Sequence, residues 1–112
     1  MDIYFKTKRL QKTCSEHKEA IKKLGPKCGL KLMQRMMELD AAETLSDISR
    51  LLPARCHELT GNHKGELSVD VKHPYRLLFI PANDPIPEGK GGGLDWKAVT
   101  SVEIISIIDT HK

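Results

Sequence analysis

The chain has no apolar run long enough to cross a bilayer, no C-x-x-C pair, no internal repeat and no linker that would divide it. Each absence excludes something. A membrane helix needs about 20 consecutive apolar residues, so no span is expected. The start, Met-Asp-Ile-Tyr-Phe-Lys, lacks the apolar segment of a secretory signal, which predicts a cytoplasmic location. Three cysteines, Cys14, Cys28 and Cys56, are an odd count that fits reduced thiols better than a disulfide framework. Zinc is disfavoured because Cys56 and His57 are adjacent and no second ligand pair has suitable spacing. No metal or other cofactor is expected. Without a repeat or linker, residues 1–112 are expected to form one domain with a modest core.

What is present is unevenly spread. The net charge is +3, but residues 1–40 hold ten Lys/Arg against five Asp/Glu, and 41–112 hold eight against ten. A basic first half fits a polyanionic partner, nucleic acid or an acidic protein surface. It fits a well-solvated helical surface equally well.

The central stretch, 57–79, carries the clearest pattern. In Glu66 to Lys72, apolar Leu67, Val69 and Val71 alternate with polar neighbours, the period of a half-buried strand. His73-Pro74 breaks the ladder, and Tyr75 to Ile80 reads as the returning strand of a hairpin. Before it, Asp2 to Lys6 is an apolar run that predicts a first strand. Thr13-x-x-Glu16 has capping-box spacing and predicts a helix carrying Ala20, Ile21 and Leu24, stopped by Gly25-Pro26. A second helix is expected from about Leu30 to Ala42, with Met33, Met36, Met37 and Leu39 as its core stripe. The outer face of this pair would present Lys18, Lys22, Lys23, Lys27, Lys31 and Arg35. Thr44-x-x-Asp47 opens a short third helix with Leu45, Ile48, Leu51 and Leu52 inward, ended by Pro53. Residues 81–93 are loop by composition, with Trp96 anchoring the far end, and Val102 to Asp109 predicts an interior strand. The expected class is α+β: an N-terminal strand and a helical hairpin on one face of a mainly antiparallel sheet, leaving the other face open.

Four of the five histidines, His57, His63, His73 and His111, lie in the second half. Histidine both takes and gives protons near neutral pH. If the last strand pairs with Tyr75–Ile80, then His57, Lys64, Arg76 and His111 surround one patch. Such a set suits RNA cleavage. A base deprotonates a ribose 2′-OH, cations stabilise the transition state, and an acid protonates the leaving 5′ oxygen. Tyr75 is placed to stack on a base. Each residue also has a plainer role. His73 is a turn residue, His63 and Lys64 a solvated loop tip, Arg76 an ion-pair partner of Glu103 or Asp70, and His57 and His111 surface histidines.

The run L-P-A-R-C-H-E-L-T-G-N-H-K-G-E-L-S-V-D-V-K-H-P-Y-R-L-L-F (52–79), with V-E-I-I-S-I-I-D-T-H (102–111), resembles the HigB-type killer toxins of the RelE/ParE superfamily. Over 1–51 the resemblance lies mainly in element order. The family's G-D-R-x-G loop matches Gly61-Asn-His-Lys-Gly65, its strand arginine matches Arg76 after Tyr75, and its closing D-Y-H matches Asp109-Thr110-His111. The resemblance implies a RelE-like fold and a type II toxin that cuts mRNA in the ribosomal A site. It also implies a helix-turn-helix, HigA-like antitoxin as partner in a hetero-oligomer. By position it implies His57, Arg76 and His111 as catalytic residues, with Lys64 supplying charge. The loop residues Gly61, His63 and Gly65 would hold phosphate. Two positions depart from the family: Thr60 stands where a lysine is common, and Thr110 replaces the tyrosine. These departures keep two alternatives open: a ParE-like toxin that inhibits gyrase without cleaving RNA, and a non-catalytic RNA-binding module.

Overall fold

Backbone N–H groups at a helix start need acceptors, and Thr7 supplies one: its hydroxyl accepts from Leu10 N at 3.1 Å and opens α1, Lys8–Ser15. The computed structural model describes residues 1–110. The chain begins with β1, Asp2–Phe5, and after α1 come α2, His17–Leu24, and α3, Pro26–Ala41. A 3₁₀ turn at Leu45–Asp47 follows, then β2, His57–Glu58, β3, Leu67–Lys72, β4, Tyr75–Pro81, and β5, Ser101–Asp109.

The expected helical hairpin is therefore three helices. Thr13 is no cap; it sits inside α1, where its hydroxyl donates to the Arg9 carbonyl at 3.1 Å. The basic segment after Phe5 is helical: Thr7 caps it, and Leu10, Thr13 and Cys14 fall on one face that packs against the core. Gly25 both ends α2 and precedes α3, and Pro26 occupies the first turn of α3, where its missing N–H costs nothing. That moves the helix start four residues ahead of the expected Leu30. The two helices cross closely at Gly29, where a Cβ would stand 2.8 Å from Ile21 N, so no larger residue fits without separating them.

The sheet order among the described residues is β1-β5-β4-β3-β2. β1 runs parallel to β5, and every other pairing is antiparallel. The hairpin and the last strand pair as the sequence indicates, with Arg76 opposite Asp70 on one side and Ile108 on the other. Leu67, Val69, Leu77, Phe79, Val102 and Ile104 face the helices and meet Ala20, Leu32 and Leu39 in one buried cluster. Burying each large aliphatic or aromatic side chain there contributes roughly 1.5–3 kcal/mol.

Three packing expectations fail. Met33 and Met36 pack against the core, but Met37 is 71% exposed, because the buried stripe of α3 runs Gly29, Leu32, Arg35, Leu39. Arg35, expected on the outer face, is 2% exposed. It belongs to that stripe and donates from Nε to the Asp70 carbonyl at 2.7 Å, while pairing with Glu38 at 3.2 Å. Leu51 and Leu52 point outward at 77% and 75% exposure, because the Thr44–Asp47 capping box closes only one 3₁₀ turn. Beyond that turn no helical period carries them inward. Leu45 and Ile48 are buried as expected.

Trp96 anchors the long loop. Its Nε1 donates to Glu58 Oε2 at 3.0 Å, and the Arg50 guanidinium lies 3.9 Å from the ring centroid. Trp96→Phe keeps the ring but removes the donor. The expected result is a loss of about 1–2 kcal/mol in urea denaturation. Because this is the chain's one tryptophan, circular dichroism is the readout.

Candidate active site

Alternation along β3 and β4 sends Leu67, Val69, Leu77 and Phe79 to the helices and Ser68, Asp70, Arg76 and Leu78 to the opposite face. His57 pairs with Ser68, so it shares that face. The site is built from this register.

His57 accepts a fixed orientation from its own backbone. Its Nδ1 lies 2.8 Å from the Arg55 carbonyl oxygen. A carbonyl can only accept, so Nδ1 carries the proton of the neutral ring and Nε2 keeps its lone pair. That is the tautomer a general base requires. Arg55 itself has φ 48, the left-handed region that a non-glycine residue seldom adopts. Its N–H donates to the Leu51 carbonyl at 2.9 Å, which holds the turn.

Asp70 joins the elements. Its N–H donates to the Ala54 carbonyl at 2.8 Å, and its own carbonyl accepts from buried Arg35. Its carboxylate meets Arg55 at 2.8 and 3.1 Å and Arg76 at 3.6 Å. Hydrogen bonding and attraction from this carboxylate raise the Arg55 guanidinium above its ordinary value, so it stays charged. The cluster holds two cations and one anion, and both arginine side chains are 37% exposed. One net positive charge therefore faces solvent beside a correctly oriented imidazole. Such a surface can take a phosphate and remove a nearby proton.

Of the residues that the sequence singled out, His57 and Arg76 come to one face. Arg76 pairs with Asp70, the second of the two acids considered for it; Glu103 stands opposite Ile80 instead. Tyr75 does not join them. It precedes Arg76 by one residue and, partly buried, packs against the core on the helix side of the sheet.

The Gly61–Gly65 loop also stands apart. It leaves β2 and enters β3 at Leu67, with Leu59 N bonded to Glu66 O at 2.9 Å. Arg76 lies near the opposite, Pro74 end of the hairpin. Three strand residues, about 10 Å, separate Leu67 from Asp70. His63 is occupied by Glu66, Nδ1 to Oε1 at 3.0 Å, and Gly61 and Gly65 close the turn at φ 64 and 93. Of the expected patch of His57, Lys64, Arg76 and His111, the register puts His57 and Arg76 on one face, opposite Ser68 and Asp70 respectively, and among the described residues no hydrogen bond or ion pair joins Lys64 to them.

His111 lies outside the described residues. Thr110, just before it, donates from both N and Oγ1 to the Pro74 carbonyl at 2.9 Å, beside the turn that leads into Arg76.

Sequence reasoning missed Arg55. A signal was present: Arg55-Cys-His57 has the spacing of two that places alternate residues of extended chain on one face. Cys56 between them points inward and is buried. Burial pushes the Cys14 and Cys56 thiols up to about 12 from an ordinary 9.0. Iodoacetamide at pH 8 is therefore expected to label partly exposed Cys28 first, as read by mass spectrometry. The sign for stability follows. The folded state favours the neutral thiols, so their contribution is complete below pH 9.0 and is lost as pH rises from 9.0 towards about 12.

Among the described residues no group of three or more His, Cys, Asp or Glu is placed to hold a metal, and no helix is long and apolar enough to cross a membrane.

Three helices on one face of a five-stranded mixed sheet define an α+β fold that solved structures share; on the opposite face Ser68 and Leu78 are buried, and Asp70 and Arg76 are partly exposed. One is described as a YoeB/ParE toxin from Agrobacterium tumefaciens, with TM-score 0.56 and 11% identity over 97% of this chain and 98% of that one. Another is a YoeB-YefM complex from Staphylococcus aureus, with TM-score 0.52 and 14% identity over 96% and 93%. At these identities the likeness is one of fold. A scan against protein-family models and a search of curated proteins give no match.

Proposed function

We propose that this protein is the toxin of a type II toxin–antitoxin pair and acts in the cytoplasm as a ribosome-dependent mRNA endoribonuclease. The carrying observation is the His57 ring, oriented by the Nδ1 contact to the Arg55 carbonyl, on the same face as Arg76. His57 takes the proton of a ribose 2′-OH. The 2′ oxygen attacks phosphorus, Arg76 holds the charge that builds on the phosphate oxygens, and the 5′ oxygen leaves with a proton. By resemblance His111 supplies that proton. Lys64, with Gly61, His63 and Gly65, binds the RNA backbone further along the hairpin, outside the reacting centre. The HigA-like helix-turn-helix antitoxin remains the partner of this reading; a fold neighbour solved as a YoeB-YefM complex supports an antitoxin partner in general.

The test is expression without antitoxin, with transcript ends mapped across coding regions. Cuts in ribosome-engaged mRNA are expected. Intact transcripts with folded protein present exclude the nuclease. A second reading, gyrase inhibition, draws on the separation of the Lys64 loop from Arg76 and on the YoeB/ParE description of one fold neighbour. Inhibition of supercoiling by purified protein, with mRNA left whole, selects it. RNA binding without either effect selects a non-catalytic module.

A further inference from the structure

The open face carries one acid between two arginines, and the two contacts differ in kind. Arg55 meets Asp70 side-on, Nε to Oδ2 at 2.8 Å and Nη2 to Oδ1 at 3.1 Å, which engages both carboxylate oxygens. Arg76 reaches Oδ1 alone, from Nε at 3.6 Å, beyond hydrogen-bond length. A carboxylate offers one favourable edge to a guanidinium fork. Arg55 holds that edge, and Arg76 keeps only the longer contact to Oδ1. Register makes the competition direct, because Arg76 stands opposite Asp70 on the neighbouring strand. Arg55 is held at this edge by a left-handed backbone, φ 48, whose N–H and carbonyl are both bonded.

We propose that Arg55 is a positioning residue for anion binding: by clasping both oxygens of Asp70 it keeps that carboxylate from closing on Arg76, and so leaves the Arg76 guanidinium to take a phosphate. This deepens the reading of a phosphate-handling face and rests on it. A simpler account gives Arg55 only a charge to contribute. Lysine separates the two, since it keeps the charge and loses the fork.

The experiment titrates the protein with inorganic phosphate and follows the Arg76 side-chain Nε–H signal by NMR, with thermal unfolding as a check on each variant. Arg55→Lys is expected to weaken phosphate binding by about threefold to tenfold, because one Asp70 oxygen is released to Arg76. Arg55→Gly, which suits the left-handed backbone, is expected to weaken it at least as much and guards against a lysine variant that folds poorly. Adding Asp70→Asn to either variant is expected to restore binding to within about twofold of wild type, since the competing fork partner is gone. Wild-type affinity in Arg55→Lys overturns the proposal, as does failure of Asp70→Asn to restore binding. No phosphate response at Arg76 in the wild type overturns it too. Cleavage of an RNA oligonucleotide is measured in parallel. If phosphate binding follows the expected pattern and RNA stays intact, the anion site stands and the nuclease reading falls.

Discussion

Arg76→Ala is expected to lower RNA cleavage by about 10²- to 10³-fold, the loss seen when one preorganised donor to a developing oxyanion is removed. His57→Ala is expected to cost about 10²- to 10⁴-fold, the usual share of a general base. Neither change should move stability by more than about 1 kcal/mol, because a half-exposed ion pair contributes little. The measurement is the rate on programmed ribosomes alongside a denaturation curve. Full activity in either variant removes that residue from the mechanism. A large loss of stability in Arg76→Ala would show instead that its pairing with Asp70 is structural. The double variant adds a check. Residues that serve one step are not additive, so Arg76→Ala in the His57→Ala background should cost less than in wild type.

Arg35→Ala carries the largest expected effect on the fold. The guanidinium is 2% exposed, bonds the Asp70 carbonyl at 2.7 Å, and fills the stripe of α3 that packs on β3. Truncation leaves a cavity and an unpaired carbonyl in the sheet, for a loss of about 2–4 kcal/mol. For a chain of this size that is a fall of roughly 10–20 °C in melting temperature. Arg35→Leu should recover part of the packing but not the hydrogen bond, and so fall between the two. Calorimetry decides it. A melting temperature unchanged in Arg35→Ala contradicts the assignment of Arg35 to the core.

The second half of the chain was more legible than the first, for a physical reason. Strict alternation from Leu67 to Val71, the break at His73-Pro74 and the β-branched run after Val102 each report a single backbone period, and a register that buries one face tolerates no slip. Helix boundaries have weaker markers. Thr7 and Thr13 both precede plausible helices, and only the free N–H groups of the first turn chose Thr7. Arg35 was misplaced because a lysine-rich surface and a buried arginine share the same sequence signature; the distinction is the carbonyl of Asp70, 35 residues away.

The site shows the same limit. The pairing of the hairpin with the last strand was readable, but the β2–β3 pairing that brings His57 to the Arg76 face was not. The Gly61–Gly65 loop could be recognised as a motif, yet its position at the other end of the hairpin depends on where β2 joins β3. Arg55 lay in plain view two residues before His57. Its importance comes from a left-handed backbone and from Asp70 across the sheet, neither of which a spacing rule reports.

The most direct measurement is a structure of the protein with an RNA oligonucleotide methylated at the 2′ oxygen, which binds but cannot cleave. The account predicts a phosphate against the Arg76 guanidinium, with the adjoining 2′ oxygen within about 3.2 Å of His57 Nε2. RNA seated on the lysine-bearing helices, with the open face of the sheet empty, would contradict it.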